Sequence, residues 1–165
     1  MTSSRLYGWL CAVLLGLGCG CATTAQKLDD AYAPSTTLYV APFVDFTEHS
    51  GGVDLMVALQ NHIYRAAPER FSYVFDEEAL CIDGTIHAVE VHTEGKRLSV
   101  EVEVSAVLLR FDGSVVHDLG SVRRERTWRA SKNRLDNDAQ QRQALRVVWH
   151  DVAKELLQRM AAPPT

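Results

Sequence analysis

The chain has 165 residues, of which 47% are hydrophobic, 8% aromatic and 23% charged. That is enough for one domain with a core, and it excludes the collagen-like, mucin-like and disordered classes. With 17 Lys and Arg against 21 Asp and Glu the net charge is −4, which excludes a generically basic nucleic-acid binder.

Met1-Thr-Ser-Ser-Arg5 opens the chain and an apolar run from Leu6 to Gly18 follows. The run is shorter than the roughly 20 residues a membrane-crossing helix needs. A short basic start, a short apolar centre and a small-residue end describe a secretory signal peptide over residues 1–18. The junction Leu15-Gly16-Leu17-Gly18-Cys19-Gly20-Cys21 resembles a bacterial lipobox, in which the Cys thiol is acylated and becomes the first mature residue. The Leu usual three positions before the Cys is displaced here by one. Cys19 is read as the lipidated residue, with Cys21 the alternative. Two acyl chains suffice for stable anchoring where one is marginal. No Asp follows either Cys, a pattern that resembles sorting to the outer membrane. Cys21 and Cys81 are then free thiols or one disulfide, and no Cys pair has the short spacing of a zinc site.

Residues 19–36 read as a lipidated tether and 37–162 as a single domain. Thr37 to Phe43 reads as a strand, with Pro42 placing it at an edge or at its end. His49-Ser-Gly-Gly52 is loop punctuation. Leu55, Met56, Leu59 and Ile63 have helical spacing over 53–65, and Pro68 ends that helix. Phe71 to Phe75 reads as a short strand, 81–92 as a strand of imperfect alternation, and Glu94-Gly95-Lys96 as a turn. Over 98–109 the alternation is clean: Leu98, Val100, Val102, Val104, Ala106 and Leu108 face one way, and Ser99, Glu101, Glu103 and Ser105 the other. This predicts a half-buried antiparallel strand. Asp112-Gly113 is a hairpin signal, and a last strand runs from about 114 to about 128. Asp138 and Gln141 resemble a capping box ahead of a stripe of Leu145, Val148, Val152, Leu156 and Met160, which Pro163-Pro164 stop. The predicted fold is α+β: one mixed, mostly antiparallel sheet of about four to five strands with two helices packed on one face.

The sequence holds no phosphate loop, H-E-x-x-H or G-x-S-x-G motif. His87 and His92, five apart on one strand, are expected on opposite faces and so not on one metal. Glu101 and Glu103 read as the solvated side of their strand. Without a nucleophile, base or cleft the chain is not expected to be an enzyme, and no cofactor or metal is expected. Charge is segregated instead. From Asp29 to Gly120 there are 5 basic and 16 acidic residues, whereas Ser121 to Arg134 carries 6 basic residues against Glu125. Arg forks suit phosphate and carboxylate, so Arg123, Arg124, Arg126 and Arg129, with Lys96 and Arg97 at a hairpin tip, are candidates for contact with an anionic ligand or a protein partner. Arg124 with Arg126 is the expected working pair, and Arg123 is expected to be compensated by Glu125.

Leu38-Tyr-Val-Ala-Pro-Phe-Val-Asp-Phe-Thr47 resembles the opening strand and F-x-N-x-T turn of the lipopolysaccharide-assembly lipoproteins, with Asp45 where that family usually has Asn. Ile82 to Val91 resembles its L-x-G-x-I-x-x-V strand. The helix of 53–65, the strand of 98–109, Asp112-Gly113 and the terminal helix fall in register over 37–160. The resemblance implies a non-enzymatic lipoprotein of the outer membrane. It would plug a β-barrel lipopolysaccharide translocon, help assemble it and assist delivery to the outer leaflet, its domain facing the periplasm or the barrel lumen. Its partners would be that barrel, lipopolysaccharide and the membrane through the lipid, with no nucleic acid. A related superfamily of ring-forming secretion lipoproteins, which export curli or exopolysaccharide, shares the PF-x-N-x-T strand. Stoichiometry separates the two: a plug copurifies with one barrel, whereas a ring protein forms a homo-oligomer.

Overall fold

The computed structural model describes residues 23–47 and 51–162. The leader, Cys19, Cys21 and the Pro163-Pro164 stop lie outside the described residues. In chain order the elements are α1 (Thr24–Ala31), β1 (Thr37–Val40), β2 (Val44–Asp45), α2 (Gly51–Ala66), a 3-10 turn (Pro68–Arg70), β3 (Ala79–Glu94), β4 (Arg97–Leu109), β5 (Val115–Arg129) and α3 (Arg134–Met160). The five strands form one mixed sheet in the order β1-β3-β4-β5, with β2 also paired to β3. β1 and β2 run parallel to β3, and β3, β4 and β5 form an antiparallel meander. This is the α+β fold expected.

β4 is the spine. Val100, Val102, Val104, Ala106 and Leu108 are buried on the helix side of the sheet, where α3 packs across β4 and β5 and α2 lies beside it over β1 to β3, each larger side chain contributing about 1.5–3 kcal/mol. The helices answer with Leu55, Leu59 and Ile63 from α2 and Val148, Val152, Leu156 and Met160 from α3, all buried. Gly84 is demanded by close packing, because a Cβ there would overlap the Phe43 ring and the Ser105 carbonyl. Phe43-Val-Asp45-Phe-Thr47 has a mechanical role. One Asp45 oxygen accepts from Thr47 N (2.8 Å) and Thr47 Oγ1 (2.6 Å), and the other accepts from Gly51 N (2.6 Å), tying the strand end to the start of α2. Burial raises the Asp45 pKa, but these bonds and one from the Gly52 backbone outweigh it and hold the carboxyl below its ordinary value.

Several local expectations differ. Within the segment read as a tether, Thr24–Ala31 is a helix, because Leu28 is buried and Arg70 holds the segment down. The Arg70 guanidinium, 2% exposed, donates to Asp29 Oδ1 (2.6 and 2.9 Å) and to the carbonyls of Ala33, Thr36 and Tyr32. Gly51 and Gly52 are the first turn of α2 rather than loop, and Gly51 packs on the Trp149 ring. Phe71 makes one bridge to Leu38 and no strand follows, because Ser72 Oγ exchanges hydrogen bonds with Val74 and turns the chain. α3 begins at Arg134, capped by Asn133 through Leu135 N (3.0 Å), ahead of the capping box read at Asp138.

Candidate functional site

The meander outruns the rest of the sheet. β1 and β2 pair with β3 only as far as Ile86, so beyond that point β3, β4 and β5 project as a three-stranded ribbon. Its tip is the turn Glu94-Gly95-Lys96, with Gly95 at φ 59°. At the tip the β4–β5 register sets Arg97 directly opposite Arg129, and Ala130 N donates to Lys96 O at 2.8 Å, bringing in the next loop. Ser131 and Asn137 pin that loop by paired hydrogen bonds of 2.7 and 3.1 Å. Lys96, Arg97, Arg126 and Arg129 are exposed and make no ion pair among the described residues. A shallow depression of about 550 Å³ beside them is lined by His92, Glu94, Arg97, Ser99, Glu125 and Thr127, among others.

Strand parity sorts the remaining arginines differently. Arg123 lies on the open face and pairs with Glu101, not Glu125; its guanidinium holds the Glu101 carboxyl below the usual carboxylate range. Arg124 lies on the helix side and is tied to Glu155 of α3 at 2.9 Å. Glu155 also receives Arg159 (3.1 Å), which donates to the carbonyls of Leu119 and Ser121. Arg124 is thus a latch between β5 and α3, and not a working partner of Arg126. The basic residues without an ion pair are Lys96, Arg97, Arg126 and Arg129, with Arg126, opposite Val100, on the helix side and Arg97 and Arg129 on the open face. Arg97 stands between Glu94 of β3 and Arg129 of β5. Like charges directly opposite are destabilising, so an anion beside Arg129 would offset the repulsion that Glu94 meets from one side only.

A bulge in β3 between Ile86 and Ala88 shifts the register. It brings His87, bonded to Ser105 Oγ at 2.7 Å, onto the same open face as His92, which pairs with Glu90 at 3.2 Å, whereas the sequence puts the two on opposite faces. The bulge is also why residues 81–92 alternate imperfectly. Among the described residues no three His, Cys, Asp or Glu side chains group as metal ligands. Cys81 is a buried free thiol whose pKa burial pushes up, helped by Asp83. Sequence reading missed Arg70; a lone Arg just after Pro68 carries no signal that its partner lies 41 positions earlier.

No family model matches the sequence, and neither does any curated protein. Solved structures do match in shape. One is a candidate lipoprotein of Caulobacter crescentus CB15, with 16% identity, a TM-score of 0.57 and coverage of 84% of this chain and 92% of that one. A minor lipoprotein of Acinetobacter baumannii gives 16%, 0.54, 82% and 98%. A PelC dodecamer of Paraburkholderia phytofirmans gives 17%, 0.52, 78% and 91%. At these identities the likeness shows the fold: an α+β arrangement that bacterial lipoproteins also use.

Proposed function

We propose that this protein is a non-enzymatic lipoprotein anchored in the outer membrane through Cys19. Its domain plugs a β-barrel lipopolysaccharide translocon, supports its assembly and assists delivery to the outer leaflet. The observation that supports this reading is the basic tip of Lys96, Arg97, Arg126 and Arg129, exposed and without an ion pair among the described residues, an arrangement fit for phosphates. The tip stands near the start of α3. The helix nearest the anchor, α1, packs at the other end of α3, where Tyr32 OH donates to Met160 O at 2.9 Å. The 27 residues of α3 span about 40 Å, so the tip is held well away from the lipid.

The test is binding of lipopolysaccharide and of the solubilised barrel to the full chain and to the Arg97→Glu plus Arg129→Glu variant, at low and high salt. The expected result is binding that weakens with salt and falls roughly tenfold in the variant. Unchanged binding to both partners would reduce the tip to a solvated turn. A second reading, a ring-forming secretion lipoprotein, is favoured by the match to the PelC dodecamer. A pull-down from detergent-solubilised envelopes separates the two by whether a barrel or only further copies of the chain copurify.

A further inference from the structure

Helices packed on a sheet normally turn a polar face outward; α2 instead mixes Val53, Val57 and Tyr64 with Asp54, Asn61 and Arg65 on its exposed side. At about 100° per residue, its buried Leu55, Ala58, Leu59 and Ile63 define the core side. Val53, Val57 and Tyr64 fall within an arc of about 40° on the opposite side. They are 58%, 44% and 58% exposed. Tyr64 packs edge-on against Phe71, and Phe71 against Tyr73, which is 81% exposed. At the other end of the helix the chain entering it presents Phe46, 78% exposed. From Val53 to Tyr64 the ridge runs about 16 Å, with Gln60 between. Asp54 and Arg65 flank it on one side, at opposite ends of the helix, both exposed and without an ion pair among the described residues.

This pattern is self-complementary. When two such helices meet antiparallel about a two-fold axis, residues on the same flank of each face one another, and a contact made once is made twice. With the axis near residue 59, Val53 of one copy meets Tyr64 of the other, Val57 meets Gln60, and Asp54 meets Arg65, each reciprocally. A parallel two-fold pairing would carry the Asp54–Arg65 flank of each copy to opposite sides of the seam and form neither ion pair. We propose that the outward ridge of α2 is an interface with a second copy of this chain, two-fold and antiparallel, clamped by two Asp54–Arg65 ion pairs across an apolar seam. The basic tip is not part of this surface, so the inference goes beyond the functional reading above and stands or falls separately from it.

The experiment is sedimentation velocity on the full chain in mild detergent, with thermal melting as the folding control. Wild type is expected to be a dimer in the micromolar range. Asp54→Arg is expected to weaken association at least roughly tenfold, because it replaces two attractions with two repulsions. Asp54→Arg plus Arg65→Asp is expected to restore it, and Val57→Glu to abolish it. Melting taken at a concentration where wild type is monomeric is expected to fall by only a few degrees, the charge reversals opposing the helix dipole at the first and last turns. A wild type that stays monomeric to about 100 μM overturns the interface. So does a dimer indifferent to Val57→Glu, and a dimer that the double reversal fails to restore overturns the antiparallel register. Lipopolysaccharide binding measured on the same variants is expected to be unchanged, which separates a failure of this interface from a failure of the tip.

Discussion

The two faces of β4 belong to one run of alternating residues and have opposite fates. On the helix side Val100, Val102 and Val104 are fully buried. On the other side Ser99, Glu101, Glu103 and Ser105 carry no covering helix among the described residues and are tied, where they are tied, to neighbours on the same face, as Glu101 is to Arg123 and Ser105 to His87. The comparison teaches where this molecule keeps its stability and where it keeps its unspent charge. The covered face is apolar and cooperative. The open face is polar and charged: Glu101 stands opposite both Glu90 and Glu125 and is answered by Arg123, and at the ribbon tip Arg97 stands between Glu94 and Arg129.

The largest effect should come from crossing the two faces. Val102→Asp places an unpaired carboxylate in the core and is expected to cost at least about 3 kcal/mol. Glu101→Lys, one residue away, is expected to cost about 1 kcal/mol, since it removes an ion pair whose Arg123 side is in solvent and relieves the carboxylates of Glu90 and Glu125 opposite. Chemical denaturation of the two variants decides this; equal losses would break the register. Next is the Arg70 clamp. Asp29→Ala leaves a buried guanidinium with only carbonyl partners and should cost about 1–3 kcal/mol, with faster amide exchange confined to residues 24–36. Exchange as slow as in wild type would mean that Leu28 alone holds α1.

The third is a pH effect between α2 and α3. His62 Nε2 and His150 Nδ1 lie 3.2 Å apart. Burial lowers the His62 pKa, and the charges of His150, Arg65 and Lys154 lower it further. The folded state therefore takes up this proton at lower pH than the unfolded chain, whose His titrates near 6.5. Stability from this site should be full above about pH 6.5 and lost as pH falls below it. His62→Gln should flatten melting temperature against pH between about 5 and 7, and an unaltered slope would assign the dependence elsewhere. The smallest effect is at the tip: Arg129→Glu converts a like-charge pair into an attractive one and should raise stability by a few tenths of a kcal/mol. A loss instead would mean that Arg97 and Arg129 already share a counter-charge.

The sheet was readable because its signal is periodic burial. Val100 to Leu108 announces its period of two, and Leu55 to Ile63 its helical period, before any contact is known. What was not readable depends on residues distant in sequence. Leu28 looks like an isolated apolar residue in a polar tether until Arg70 arrives beneath it. The first two turns of α3 carry no apolar stripe, so only the Asn133 cap marks its start. The basic residues of 121–134 were visible as a cluster. Which of them are neutralised was not, because Glu155 and Glu101 come from other elements. The bulge at His87 is a single extra residue, and it reverses the face of every side chain after it.

The docking of α1 also changes how far the domain can roam. With the lipid on Cys19 and residues 19–36 all extensible, the leash would be about 60 Å. With the domain beginning at Thr24 it is about 17 Å, and the volume the domain can sweep shrinks roughly fortyfold. Under the proposed Cys19 anchor, the Arg70 guanidinium, far along the chain from the lipid, would thereby keep the domain within a thin layer at the membrane, where its first encounter with a membrane-embedded partner such as the proposed barrel would be set by lateral diffusion in two dimensions.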